Sequence, residues 1–336
     1  MKRSEKIIFL LVIIGAIAFV RYVYPNISGV PSRADADQGQ TASAAQSSTN
    51  QPTKLVLPQT TISATAPDDN DGNAATDGVP PAATDTVFTR TGDTPLPIFS
   101  NKAYMVADLT TGAVLAGSNV NARWPTASLT KLMTATLILD QLPTNTRITI
   151  TPQMFSVDPD EYTLAIGGTY TVEDLLHLML MPSSNVAAEA MADTIGHAQF
   201  MSEMNARAAQ WGMTDTYFAD TSGISAANES SASDFLILAQ HIYQNYPEIL
   251  TLTDTPTWTM TELNSGRTIE VKSINAFAGE SVFVGGKTGN TPQAGGNLLS
   301  IFNYDGHPVL IVVLGAPALP FQNTSNLFAW FRQNYK

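Results

Sequence analysis

The chain of 336 residues contains no cysteine and only four histidines. Without thiols there is no disulfide, no thiolate nucleophile and no Cys-based zinc or iron–sulfur site. The histidines, His177, His197, His241 and His307, never fall at HExxH spacing, so that zinc-peptidase pattern is missing. Charged residues are scarce, at 14%, and leave a net charge of −12. An acidic surface repels phosphate backbones, which argues against a nucleic-acid partner. No internal repeat is present. What the chain does have is apolar side chains, 44% of the total. That is enough for a sizeable core in one large domain or two small ones.

Lys2, Arg3 and Lys6 precede an apolar run from Ile7 to Val20. A cleaved signal peptide needs small residues soon after such a run, and Phe19-Val-Arg-Tyr-Val-Tyr-Pro25 offers none. Residues 1–25 are therefore read as an N-terminal membrane anchor, with a signal segment as the competing reading. Both place the rest of the chain outside the cytoplasm, with the basic residues left inside. Residues 26–97 are rich in Ser, Thr, Ala, Asp and Pro, without apolar periodicity. They are expected to be a disordered linker that holds a domain, residues 98–336, off the membrane.

Within that domain, Lys102–Asp108 and Ala113–Ala116 read as a hairpin around Thr110-Thr-Gly112. Ser128–Leu142, Leu175–Met181, Val186–Ile195, Gln199–Trp211 and Ala232–Tyr246 carry helical patterns, and Ser325–Asn334 closes the chain as another helix. Thr171-Val-Glu-Asp174 is a helix-start signature. Val282–Gly285, Asn297–Asn303 and Val309–Leu314 read as strands, with Asp305-Gly306 turning between the last two. Strands at both ends with helices between them predict an α+β fold: an antiparallel sheet flanked by helices, with an inserted all-helical subdomain.

Three short stretches carry chemistry. Ser128-Leu-Thr-Lys131 sets a hydroxyl and an amine one helical turn apart. A serine hydroxyl needs a base, and lysine serves as one only when burial or a nearby cation lowers its pKa. By itself this spacing is common, and a solvated helix lysine explains it as well. Ser183-Ser-Asn185 breaks two apolar helices and can aim polar groups into a cleft, although an ordinary N-cap accounts for it equally. Gly285-Gly-Lys-Thr-Gly289 follows a strand. It is not a P-loop: Ser281 stands where that motif needs glycine, and Asn290-Thr-Pro-Gln293 does not start a helix. Its glycines suit close approach of a substrate backbone to a strand, whereas a solvated strand-edge lysine is the ordinary account of Lys287.

Ser-x-x-Lys, Ser-x-Asn and Lys-Thr-Gly, in that order, are the motif set of penicillin-binding proteins and serine β-lactamases. The chain resembles the low-molecular-mass D-alanyl-D-alanine carboxypeptidase and endopeptidase family. Ala103–Gly112, Pro125–Thr134, Leu175–Ala190, Trp211–Phe218 with Gly223-Ile224, and Gly286–Leu298 carry the likeness.

The resemblance implies a β-lactamase/penicillin-binding transpeptidase-like fold and hydrolysis of peptidoglycan stem peptides through an acyl-enzyme. It makes Ser128 the nucleophile, Lys131 its base and Ser183 a proton relay. Lys287 would support that relay and supply positive charge. Asn185, Thr288, Gly289 and Asn290 would bind substrate, with backbone N–H groups of Ser128 and Asn290 as the oxyanion hole. No metal or cofactor is implied, and β-lactams would be covalent inhibitors. The arginine that binds the substrate carboxylate in many of these carboxypeptidases, shortly after the strand matching Val309–Leu314, is absent from Gly315–Gln322. Endopeptidase action is therefore open beside carboxypeptidase action. The rival readings are a serine β-lactamase, which shares all three motifs but whose further Glu-x-x-Leu-Asn signature is met only by the misplaced Glu262-Leu-Asn264, and a catalytically silent peptidoglycan-binding protein.

Overall fold

A computed structural model describes residues 86–336, except 159, 160, 162 and 319. The expected anchor and most of the expected linker lie outside the described residues. Among the described residues no helix is long and apolar enough to cross a membrane.

Strands β1 (Ala103–Asp108) and β2 (Val114–Ser118) form the predicted hairpin. Then comes a long insertion: β3 (Trp124–Pro125), α1 (Thr130–Gln141), β4 (Arg147–Thr149), α2 (Pro152–Phe155), β5 (Thr169–Thr171), α3 (Val172–Leu180), α4 (Asn185–Ile195), α5 (His197–Gln210), β6 (Glu229–Ser230), α6 (Ala232–Asn245), α7 (Pro247–Asp254), β7 (Thr257–Thr261) and β8 (Thr268–Lys272). The chain returns with β9 (Phe283–Thr291), β10 (Gly295–Tyr304), β11 (His307–Ala316) and α8 (Pro320–Asn334). The main sheet runs β2-β1-β11-β10-β9, antiparallel throughout. The insertion, expected to be all-helical, is helical in the main but also carries the ribbons β3–β6, β4–β5 and β7–β8.

The central strands are buried on both faces, so their sequences read as unbroken apolar runs. Alternation still sorts them. Met105 and Ala107 of β1, with Leu310, Val312 and Leu314 of β11, face the insertion. Tyr104 and Val106, with Val309, Ile311 and Val313, face a second core built with Leu327 and Phe331 of α8. Asp305 and Gly306 both take positive φ, 52° and 87°, as the tight turn between β10 and β11 requires. On the insertion side, α1 is buried from Thr130 to Ile138, which makes it a central core helix rather than a surface one.

The domain starts earlier than composition suggested. Residues 86–94, assigned above to the linker, lie along α8. Phe88 is 4% exposed and meets Phe331 edge-on with ring centres 5.0 Å apart. Thr89 and Lys336 exchange backbone hydrogen bonds of 2.8 and 3.0 Å. A single aromatic in a polar stretch leaves no periodic signal, yet it fills a slot in the core.

Candidate active site

The Ser128 turn is built by its surroundings. Thr126 donates its N–H to the Asn228 carbonyl at 2.9 Å, anchoring the end of β3. Ala127 then takes φ +47°, a conformation costly for a residue with a Cβ. A 3₁₀ turn over Ala127–Leu129 leads into α1. In that tighter winding, side chains three apart nearly eclipse. The Lys131 amine accordingly lies 2.9 Å from Ser128 Oγ.

Three glycine and amide positions clear and hold this turn. A Cβ on Gly223, at φ +87°, would sit 1.8 Å from the Ala127 carbonyl oxygen. A Cβ on Gly289 of β9 would be 3.1 Å from the Ser128 nitrogen, so the strand passes right beside the turn. Asn297 of β10 donates to the carbonyls of Pro125 and Thr126 at 2.8 and 3.1 Å.

Lys131 is wholly buried. Besides Ser128 it donates to Asn185 Oδ1 and to the Ser222 carbonyl, each at 2.7 Å. Burial pushes its pKa down to about 7, against the opposing charges of Asp220 and Asp158. Burial also raises the Asp220 carboxyl, but N–H donors from Ser225, Gly223 and Ser222, with the Asn228 amide, outweigh it and hold this group below the usual range.

Across the crevice, Lys287 of β9 donates to Ser183 Oγ at 2.9 Å and to the Thr288 carbonyl at 3.0 Å. It is 1% exposed. Burial, and then the charge of Lys131, holds its pKa well below the ordinary lysine value. That direction, with the contact to Ser183, suits exchange of a proton with its hydroxyl. Ser183 itself takes φ +73° at the bend between α3 and α4. Ser184 caps α4, accepting from the Ala187 N–H at 3.1 Å.

Ser128, Ser183, Asn185, Thr288, Gly289 and Asn290 all line one cleft of about 560 Å³, with Lys131 and Lys287 beneath it. The eight residues to which the resemblance gave catalytic or binding roles are therefore in one place. Ile274 adds an apolar side chain near the Ser183 bend, its N–H on the Met181 carbonyl. The stretch from the end of β11 into α8 makes a far wall that is apolar, with Ala316, Pro317, Ala318, Pro320 and Phe321. No arginine lines it among the described residues. Glu262 is not in the cleft; its carboxylate is occupied by the N–H groups of Thr169, Asn264 and Ser265 and by the Ser265 hydroxyl.

Sequence reasoning missed Asp220, Asn297 and Asp158. Asp220 had a local signal, since Asp-Thr-Ser-Gly is turn chemistry and its carboxylate accepts from residues two and three further on. Asn297 lay inside the Gly286–Leu298 stretch, but its role did not show, because the carbonyls it holds lie 171 and 172 residues away.

Comparison with known proteins points to one family. The sequence profile of the D-alanyl-D-alanine carboxypeptidase family matches residues 91–318. A D-alanyl-D-alanine endopeptidase of Escherichia coli is 31% identical over 254 residues, spanning 70% of this chain and 78% of that protein. A D-alanyl-D-alanine carboxypeptidase of Mycobacterium tuberculosis is 28% identical over 249 residues, spanning 71% and 84%. Among solved structures, a D-alanyl-D-alanine carboxypeptidase of M. tuberculosis superposes with a TM-score of 0.66 at 25% identity, covering 72% of this chain and 94% of that one. A mutant of the Streptomyces K15 DD-transpeptidase gives 0.63 at 25% identity, covering 70% and 98%.

Proposed function

This chain belongs to the D-alanyl-D-alanine carboxypeptidase family of serine peptidases, and from that premise we propose how its own residues divide the work. Ser128 Oγ attacks the carbonyl of a D-Ala peptide bond, and its proton passes to Lys131 Nζ. The N–H groups of Ser128 and Asn290 receive the oxyanion. The bond to the leaving amine breaks as that nitrogen takes the Ser183 hydroxyl proton. The proton that Lys131 accepted makes good the loss at Ser183, whose hydroxyl Lys287 holds, and Lys131 is neutral again for the water step. Asn185 and Thr288 bind the substrate chain. Water then attacks the Ser128 ester, freeing the acid and restoring the serine. A penicillin would stop at the ester stage.

One observation carries this reading. A neutral lysine amine has two hydrogens and one electron pair. Asn185 Oδ1 and the Ser222 carbonyl, both obligate acceptors as placed, occupy the two hydrogens at 2.7 Å each. The remaining neighbour is Ser128 Oγ at 2.9 Å, so in the neutral state the electron pair faces the serine hydroxyl. That is the arrangement a general base needs.

The apolar far wall favours endopeptidase over carboxypeptidase action. A terminal carboxylate there would meet Pro317, Ala318 and Phe321 instead of a guanidinium. The domain acts outside the cytoplasm, on peptides of the cell wall, and residues 1–25 tether it to the membrane. Labelling the full chain with a fluorescent penicillin tests the acyl-enzyme: Ser128→Ala is expected to abolish it, and labelling that survives this change rejects the assignment. Digestion of purified muropeptides tests specificity, dimer-to-monomer conversion supporting the endopeptidase and dominant D-Ala release opposing it. Loss of membrane fractionation on removal of residues 1–25 tests the tether.

A further inference from the structure

Resting on the roles given to Ser128 and Lys131, we infer that Asp158 is a positioning residue: its carboxylate fixes the Asn185 amide in the one orientation that turns the free electron pair of Lys131 onto Ser128. Asp158 does not line the cleft, and no motif contains it.

A carboxamide has nearly the same shape when turned over, but its two ends do opposite things. The oxygen accepts and the nitrogen donates. If the Asn185 nitrogen faced Lys131, it would donate into the amine's electron pair and take that pair away from Ser128. Nothing on Asn185 alone prevents this. Asp158 does, because an ionised carboxylate only accepts. Its Oδ2 lies 2.8 Å from Asn185 Nδ2, so the donating end is drawn outward and Oδ1 is left against Lys131. The second hydrogen on Nδ2 remains for a substrate in the cleft.

The other acceptor on Lys131 is secured in a parallel way. Asp220 gathers the N–H groups of Ser222, Gly223 and Ser225 and so holds the turn that presents the Ser222 carbonyl. Asp158 enters from the loop that precedes β5, and that loop grips the α3–α4 bend a second time. Glu161 Oε2 accepts from Ser184 Oγ at 2.6 Å, while Glu161 Oε1 accepts from the Thr163 N–H at 2.7 Å. Two consecutive residues of the bend are thus each held by a carboxylate, immediately after Ser183 with its left-handed backbone. The loop acts as a brace for the second motif.

Charge supplies an independent signature. Lys131 faces Asp158 from this loop, Asp220 from the loop after α5 and Lys287 from β9; from α4 it touches the uncharged Asn185, while Glu189, one turn on, is held by Thr221 and His197. Asp158 favours the protonated lysine. Removing its charge therefore moves the acidic limb of the acylation profile to lower pH.

The test is the rate of acylation of the full chain by a fluorescent penicillin across about pH 5 to 9. In Asp158→Asn the new amide can accept from Asn185 Nδ2 and preserve its orientation without the charge. Asp158→Ala can do neither. Expected is a plateau loss of roughly 10²-fold for Asp158→Ala, the scale of a displaced catalytic group. Asp158→Asn should retain its plateau within roughly tenfold, and both variants should show the limb displaced to lower pH. Should Asp158→Ala fail to fold, the limb displacement in Asp158→Asn carries the test. Equal losses in both variants with an unmoved limb would overturn the inference, as would a parental rate and profile in Asp158→Ala. A Ser128→Ala control separates the two levels. If it still labels, the acyl-enzyme reading falls and this inference with it. If it does not label while Asp158→Ala behaves as the parent, the inference alone falls.

Discussion

Asn297 grips Thr126 two residues before the nucleophile. Its Nδ2 reaches the Pro125 and Thr126 carbonyls, and its Oδ1 accepts from the Gly315 N–H at 2.8 Å. One side chain thus ties the Ser128 turn to β10 and to the end of β11. It is 1% exposed, so truncation strands buried polar groups that water cannot reach. Asn297→Ala is expected to lower stability by about 2–4 kcal/mol, with slower acylation of Ser128. Denaturant melts and penicillin labelling read both effects, and unchanged melts would refute the tie.

The pH dependence of acylation follows from Lys131. Only its neutral form can take a proton, and burial places its pKa at about 7. Acylation by penicillin should rise as pH increases through this value. A rate already flat from about pH 5 upward would mean another base is at work.

Fold stability should also rise with pH on the alkaline side. The pKa of Lys131 is about 7 in the folded chain against an ordinary 10.5, so between these values the unfolded chain binds more protons. The destabilisation is complete below about 7 and vanishes above the unfolded value. Lys287, lowered for the same reason, adds with the same sign. One such proton gives a slope of up to about 1.4 kcal/mol per pH unit. Chemical denaturation between about pH 7.5 and 9.5, below the range of the raised tyrosines Tyr246 and Tyr335, measures it. A slope that vanishes in the double variant Lys131→Met, Lys287→Met assigns it; a parental slope in that variant refutes the assignment.

Specificity should respond to a guanidinium on the far wall. Ala318 is exposed and lines the cleft after β11. Ala318→Arg would offer a terminal carboxylate the paired donors it lacks here. Release of D-Ala relative to dimer cleavage should increase by roughly tenfold, the worth of one charge-assisted hydrogen bond. No change in that ratio would show that this wall does not face the terminal carboxylate.

Local chemistry made much of this protein legible. The main strands and long helices announced themselves through burial on a fixed period, and Asp305-Gly306 through its turn geometry. Most of what escaped was held by single residues or distant ones. Strands β7 (Thr-Trp-Thr-Met-Thr) and β8 (Thr-Ile-Glu-Val-Lys) do alternate polar with apolar residues, a legible signal missed because each run is only five residues long. Helix α7 begins at Pro247, directly against α6, so the two read as one signal followed by a loop. Ser128 and Lys131 lie three apart and could be paired on paper. The contact of Lys131 with Asn185 spans 54 residues, and that of Lys287 with Ser183 spans 104, so only folding could reveal them. The order of the three stretches narrowed the field through resemblance, whereas the braces around them left no pattern to read.

The pairing of β1 with β11 sets the sequence of assembly. Ala103 lies opposite Leu314, so one edge of β1, whose other edge already pairs with β2, must wait for β11 to emerge. Joining such remote ends is entropically slow, whereas α3, α4 and α5 pack on immediate neighbours and can form early. During synthesis a helical body therefore takes shape around α1 before any crevice exists above it. Lys287 arrives only with β9, and the strand that flanks β9 must follow. A nascent or truncated chain lacking those strands carries the nucleophile but no site, so reactivity waits on the strands that follow the insertion.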